Sequence, residues 1–226
     1  MKTARSDFID FLLKSNALRF GDFVTKSGRP SPYFINTGMF KTGEQITRLG
    51  QFYAQAIQER FPSSVDHLYG PAYKGIPLVV STASALFTLY NRDVGVTFNR
   101  KESKSHGEGG SLIGALYDSP AEIVVVEDVI TAGTAIGETM ELLSHYPNAH
   151  VVGLLVSVDR KERLGDDSRS ALQMIQEKYK LQAASLIDIN DLISALSEES
   201  FRERYSISSS QLEKMLEYRH RYGADE

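Results

Sequence analysis

The densest chemistry in this sequence lies between Val124 and Ile136, VVVEDVITAGTAI. An apolar run ends in two adjacent acids, Glu127 and Asp128, and continues through Val129 and Ile130 into Thr131, Ala132, Gly133, Thr134 and Ala135. In parallel sheets, ligands sit outside the carboxyl ends of strands. A helix N-terminus just beyond presents free N–H groups and the positive end of its dipole, which suits an anion. Gly133 lets the backbone approach that anion closely, and the threonines add hydroxyl donors. The two acids would repel a phosphate aimed at them. They fit if they accept hydrogen bonds from sugar hydroxyls beside it, or stand near Mg2+. The segment therefore reads as a site for a phosphorylated sugar. The bland alternative is a capped strand-to-helix turn with solvated acids. The generic nucleotide motifs do not occur here: there is no G-x-x-x-x-G-K-[ST], and no G-x-G-x-x-G after a strand.

Two further segments carry cations. In YGPAYKGIP (Tyr69 to Pro77), Gly70 and Gly75 flank Lys74, with Tyr73 beside it. A lysine there can meet a polyphosphate as a point charge, or can be a solvated residue of a turn. Asn99 to Ser111 (NRKESKSHGEGGS) has no apolar residue at all, which marks a functional loop or a disordered one. Arg100, Lys101, Lys104 and His106, followed by Gly107, Gly109 and Gly110, suit a lid closing over an anionic leaving group. A solvated surface is the other reading, and Glu102 and Glu108 partly cancel the charge.

These segments need a scaffold, and the hydrophobic pattern supplies one. Residues 5–15 place Phe8, Ile9, Phe11, Leu12 and Leu13 on a helical face, with Ser6 as an N-cap. Ala17 to Phe40, with Pro30 and Pro32, reads as a loop or short hairpin, because proline cannot sit in a central strand. A helix is expected over 43–60. Strands at 65–69, 94–98, 123–126 and 151–158 then alternate with helices at 74–90 and 131–145. The C-terminal stretch adds a helix at 168–179, a strand at 184–187, and helices at 188–196 and 208–222. This rhythm predicts an α/β fold around a mostly parallel sheet. There is no internal repeat, low-complexity segment or long linker.

Composition sets the outer bounds. The chain has 226 residues, 42% apolar and 24% charged, with a net charge of −4, which suits a globular chain with a sizeable core and argues against a basic nucleic-acid binder. Cysteine is absent, which removes disulfides, thiolate metal sites and cysteine nucleophiles together. No apolar run approaches the ~20 residues of a spanning helix. The N-terminal stretch carries Asp7 and Asp10 and lacks a small-residue cleavage site, so no signal peptide is expected. The expectation is a cytoplasmic enzyme that engages neither membrane nor nucleic acid.

LRFGDFVTKSGRPSPYFINTGMF, YGPAYKGIP, FNRKESKSHGEGG and VVVEDVITAGTA, in this order and spacing, closely resemble orotate phosphoribosyltransferases of the bacterial and fungal type. The third block is specific to that family. The fourth is the motif for 5-phosphoribosyl diphosphate (PRPP) shared by type I phosphoribosyltransferases. The resemblance runs from Leu18 through VDRKER (Val158 to Arg163) to the C-terminal helices.

It implies a type I phosphoribosyltransferase fold. A single domain would span 1–226, with an N-terminal hood of about residues 1–60 and an α/β core with C-terminal helices over 61–226. It implies a pentosyltransferase that converts orotate and PRPP into orotidine 5′-monophosphate and pyrophosphate in pyrimidine synthesis. Mg2+ would be held mainly by the substrate rather than by direct protein ligands. Carried over by position, Glu127 and Asp128 would hold the ribose hydroxyls and Thr131 to Thr134 would wrap the 5′-phosphate, with Val129, Ile130 and Ala135 flanking them as substrate-binding positions. Tyr73 and Lys74 would meet the pyrophosphate under the lid of Arg100, Lys101, Lys104 and His106. Lys26, Phe34 and Ile35 fall on the orotate side, where Lys26 also approaches the pyrophosphate; Thr131 and Arg160 would contact orotate. Family members are homodimers in which one subunit's lid reaches the other's site.

Two departures stand out. Glu127 replaces the usual first aspartate, and Ile35 stands where a second aromatic is usual. Two alternatives share the motif: another purine or pyrimidine phosphoribosyltransferase, and a non-catalytic PRPP-sensing regulator. The retained lid residues, the acidic net charge and the lack of a DNA-binding extension weigh against the regulator.

Overall fold

Phe8, Ile9 and Leu12 recur at helical spacing, and helix α1 (Ala4–Lys14) buries all three. The structure is a computed structural model that describes residues 4–25, 28–101, 111–130, 133–165 and 167–225. Pro30 and Pro32 lack the N–H that a central strand needs, and the fold keeps them at an edge. Strands β1 (Leu18–Val24) and β2 (Pro30–Ile35) form a two-stranded antiparallel hairpin that pairs Leu18 with Ile35 and Phe20 with Tyr33. Of the two readings the sequence allows for 17–40, the hairpin is the one formed.

Helix α2 (Gly43–Arg60) starts on a capping box, with Thr42 accepting from the Gln45 amide and Gln45 reaching back to the Thr42 amide. Strand β3 (His67–Tyr69), helix α3 (Gly75–Tyr90) and strand β4 (Gly95–Asn99) follow. A short strand β5 (Leu112–Gly114) comes next, then the long β6 (Ala121–Val129). β3 pairs in parallel with both β4 and β6, and β5 lies antiparallel on β4. Ile123, Val124, Val125 and Val126 are fully buried, as a strand covered on both faces requires.

Helix α4 (Thr134–Ser144), strand β7 (Ala149–Asp159), helix α5 (Ala171–Tyr179) and strand β8 (Gln182–Asp188) continue the alternation. The six-stranded sheet has the order β5-β4-β3-β6-β7-β8. Ile123 and Val125 pack with Leu154, Ile136, Leu143 and Ile175 in one hydrophobic cluster.

The chain ends in helices α6 (Ile189–Ser197), α7 (Glu199–Tyr205) and α8 (Ser209–Tyr222). β5 and α7 are additions to the elements expected from the sequence. β5 is a three-residue strand, and α7 exposes most of its seven residues, so neither leaves a periodic pattern.

Two compact units result. One comprises Met1–Lys41, Val158–Ala171 and Ile187–Glu226; the other comprises Thr42–Ser157 and Leu172–Leu186. The first unites α1 and the hairpin with the C-terminal helices, α1 packing on α6 and α8 packing on β2. The second holds α2 to α5 and most of the sheet. No helix among the described residues is long and apolar enough to cross a membrane.

Candidate active site

In the second unit, the sequence's strongest motif opens within a strand, as its apolar run predicts. β6 continues through Glu127, Asp128 and Val129, so the acids occupy its carboxyl end. Their backbone is pinned from both sides. The Tyr53 hydroxyl on α2 donates to the Glu127 carbonyl at 2.7 Å, and Ser157 Oγ on β7 donates to the Asp128 carbonyl at 2.5 Å. Asp128 Oδ2 accepts from Lys74 Nζ at 2.8 Å, while its Oδ1 takes the Val129 amide at 2.8 Å. Burial pushes the Glu127 carboxyl up to about 7, with the neighbouring charge of Asp128 adding to the rise and the Asp128 amide and Lys74 opposing it.

Beyond the strand, Gly133 caps α4 with φ +75°, a backbone that glycine adopts without strain. Among the described residues no side chain caps this helix start, which suits first amides that meet an anion. Glu127, Val129, Ile130, Gly133 and Ala135 line one pocket.

The second motif lies beside the first. A Cβ on Gly70 would run into the Gly75 backbone, and one on Gly75 into Gly70, so both positions require glycine for close approach. Asn99 Oδ1 accepts the Ala72 amide at 2.7 Å and fixes the loop between them. Tyr73 is 66% exposed, and Lys101 Nζ sits 5.0 Å from its ring centroid. The Arg100 amide donates to the Ser111 carbonyl at 2.8 Å, closing the base of the polar segment where β4 meets β5. Among the described residues, the Arg100 Nε is buried and has no acceptor. The structure thus brings Tyr73, Lys74, Arg100, Lys101, Glu127, Asp128 and the start of α4 into one unit, as anion donors next to sugar-hydroxyl acceptors.

The remaining described candidates lie in the first unit. Phe34 stacks on Phe23 with centroids 5.4 Å apart, and Ile35 follows it at the end of β2. Successive strand residues face opposite sides, so the two do not share a face. Arg160, just after β7, is enclosed. Its Nε donates to Glu162 Oε1 at 2.5 Å, its Nη2 donates to Ser31 Oγ at 3.0 Å and the Tyr218 hydroxyl at 2.9 Å, and the guanidinium lies 4.1 Å from the Tyr33 ring centroid. Burial alone would pull this guanidinium down, but Tyr33, Glu162 and Tyr218 around it carry it up, so it stays charged.

Lys26, Lys104, His106, Thr131 and Ala132 lie outside the described residues. Sequence reasoning did not single out the supporting groups Tyr53, Asn99, Ser157, Ser31, Glu162 and Tyr218. Ser157 had a signal, being the lone hydroxyl in the apolar run VVGLLVSV. Tyr53, Ser31 and Tyr218 act across long sequence separations and leave no local mark.

The Phosphoribosyl transferase domain model matches residues 36–200. An orotate phosphoribosyltransferase of Clostridium beijerinckii is 44% identical over 224 residues, covering 99% of this chain and 100% of that protein. One from Haemophilus influenzae is 48% identical over 225 residues, covering 99% and 100%. The crystal structure of the orotate phosphoribosyltransferase of Francisella tularensis superposes with a TM-score of 0.84 at 35% identity, over 96% of this chain and 100% of that one. Agreement at this level, end to end, extends well beyond the shared sugar-phosphate motif, and the chain belongs to the orotate phosphoribosyltransferase family.

Proposed function

We propose that this chain transfers the 5-phosphoribosyl group of PRPP to orotate, giving orotidine 5′-monophosphate and pyrophosphate on the route to UMP. The observation that carries the reading is the Lys74–Asp128 pair, 2.8 Å apart at the carboxyl end of β6, next to a helix start that no side chain caps among the described residues. A sugar hydroxyl can take over the carboxylate, and the freed ammonium can then meet a phosphate.

In this reading Glu127 and Asp128 hold the ribose 2′- and 3′-hydroxyls. The segment from Thr131 to Thr134, with its threonine hydroxyls and the first α4 amides, wraps the 5′-phosphate, flanked by Val129, Ile130 and Ala135. Departure of pyrophosphate from the anomeric carbon builds positive charge on the ribose and negative charge on the leaving group. Lys74, Tyr73, Arg100 and Lys101, with Lys26, Lys104 and His106, face that negative charge. Arg160, Thr131 and Phe34 take orotate, the arginine meeting its carboxylate; Ile35, turned to the other face of β2, stands outside that contact. No protein nucleophile is required, which agrees with a chain free of cysteine.

Mg2+, held mainly by the oxygens of PRPP and pyrophosphate, would supply further neutralisation of the diphosphate. We place the enzyme in the cytoplasm on composition. We also propose a homodimer, supported by a face of α3 on which Val80, Phe87 and Tyr90 are exposed, Phe87 by 57%.

The test is loss of orotate absorbance with PRPP and Mg2+, against a control lacking PRPP. Consumption of adenine or uracil in place of orotate would reassign the base, and binding of PRPP without turnover would make the chain a sensor.

A further inference from the structure

We propose that Glu162 and Tyr218 are positioning residues for Arg160, fixing its guanidinium so that Nη1 alone is left to grip the carboxylate of the pyrimidine substrate. The proposal rests on the reading that Arg160 receives orotate.

A guanidinium has five N–H donors: one on Nε and two on each terminal nitrogen. Three of them are committed within the first unit. The Nε donor goes to Glu162 Oε1 at 2.5 Å, and the two Nη2 donors go to Ser31 Oγ at 3.0 Å and the Tyr218 hydroxyl at 2.9 Å. Tyr218 in turn donates to Glu162 Oε1 at 2.6 Å, which closes a ring of three residues. Ser31 donates onward to the Tyr33 carbonyl at 2.8 Å. The guanidinium plane is held over Tyr33, and the Tyr33 and Tyr218 rings meet edge-on with centroids 5.9 Å apart. Position, plane and rotation are therefore all set before any ligand arrives, and among the described residues the two donors without an acceptor are both on Nη1.

Charge is consistent with this role. Glu162 neutralises one cation, but Arg29 Nη1 stands 3.5 Å from its other oxygen, so the group of Arg160, Arg29 and Glu162 retains one net positive charge. A carboxylate ligand is still attracted. Tyr218 also brings the C-terminal helix into substrate recognition, because it is the α8 residue that closes the ring.

The experiment is steady-state kinetics of the full chain with Glu162→Gln, Tyr218→Phe, Ser31→Ala and Arg160→Ala. Lys214→Ala serves as control, since Lys214 lies on the same helix and pairs with Asp22 at 2.9 Å. Competitive inhibition by uracil, which lacks the carboxylate, is measured alongside. Loss of one charge-assisted hydrogen bond corresponds to roughly tenfold in affinity. We expect E162Q and Y218F to raise the orotate KM by about that factor, with PRPP KM and uracil inhibition within about twofold of the parent. S31A, which alters no charge, should move in the same direction and serves if E162Q fails to fold. K214A should leave all constants unchanged.

If R160A raises the orotate KM while E162Q, Y218F and S31A leave it unchanged, the positioning role is overturned and the reading of Arg160 stands. If R160A itself leaves the orotate KM unchanged, that reading falls and takes the proposal with it. A lower orotate KM in E162Q would mean that Glu162 competes with substrate, and parallel rises for orotate, PRPP and uracil would mean that the ring only supports the fold; either result overturns the proposal.

Discussion

Glu127 and Asp128 are neighbours of the same charge, yet their surroundings set them different tasks. Asp128 has a cation at 2.8 Å, whereas Glu127 is driven up to about 7, chiefly by burial. The folded chain therefore holds the Glu127 proton more tightly than the unfolded chain, where the ordinary value is 4.5. Its contribution to stability is fully present below pH 4.5 and is lost as pH rises through 7. Glu127→Gln cannot titrate, so its stability should fall less between pH 5 and pH 7.5 than that of the parent. Urea denaturation midpoints across that range measure this, and parallel curves would refute it. The lid residues belong to the other half of the reaction. Lys104→Ala should lower kcat by about 10²- to 10³-fold, because a lid cation acts on charge that develops in the transition state. PRPP affinity, measured by titration, should change much less, and an unchanged kcat would remove Lys104 from the mechanism.

At the scale of elements, the anion site depends on how β6 passes into α4. Gly133 holds φ +75°, and a Cβ there would lie 3.4 Å from Ile175 Cδ1. Gly133→Ala should therefore cost about 1–2 kcal/mol of stability through left-handed backbone strain. It should also weaken PRPP binding by reorienting the first amides of α4; thermal denaturation and PRPP titration read the two effects separately. This junction was legible in the sequence, because an apolar run, two acids and a glycine-containing turn are local signals. The alternation of strands and helices was legible for the same reason, as was the prohibition that Pro30 and Pro32 place on a central strand. Three things were not. β6 runs three residues beyond the continuous apolar run that ends at Val126, through Glu127 and Asp128, whose carbonyls the Tyr53 and Ser157 hydroxyls hold. The enclosure of Arg160 depends on Ser31 and Tyr218, which lie 129 and 58 residues away in sequence. The pleat of β2 also turns Phe34 and Ile35, adjacent in sequence, to opposite faces.

For the whole molecule, a net charge of −4 averages a cationic polar segment against an acid pair, and so hides the site. The proposed dimer is where these local charges would act together. Helix α3 begins at Gly75, directly after Tyr73 and Lys74, and Val80 is exposed by 50% within two turns of that start. A second copy seated on Val80, Phe87 and Tyr90 would therefore lie along the same helix that opens at the diphosphate loop. Phe87→Glu should convert the dimer to monomer in sedimentation and lower turnover with it. Shared sites make a sharper demand. Suppose Lys104→Ala and Asp128→Asn each abolish activity, and the lid of one copy serves the core of the other. A mixed dimer then has one site carrying both substitutions and one site carrying neither. Random exchange yields mixed dimers for half the population, so an equimolar mixture should recover about a quarter of parental activity. If each lid serves its own core, every site keeps a lesion and mixing recovers nothing. Repeating the mixture in the Phe87→Glu background should abolish any recovery, which ties the exchange of lids to the α3 face.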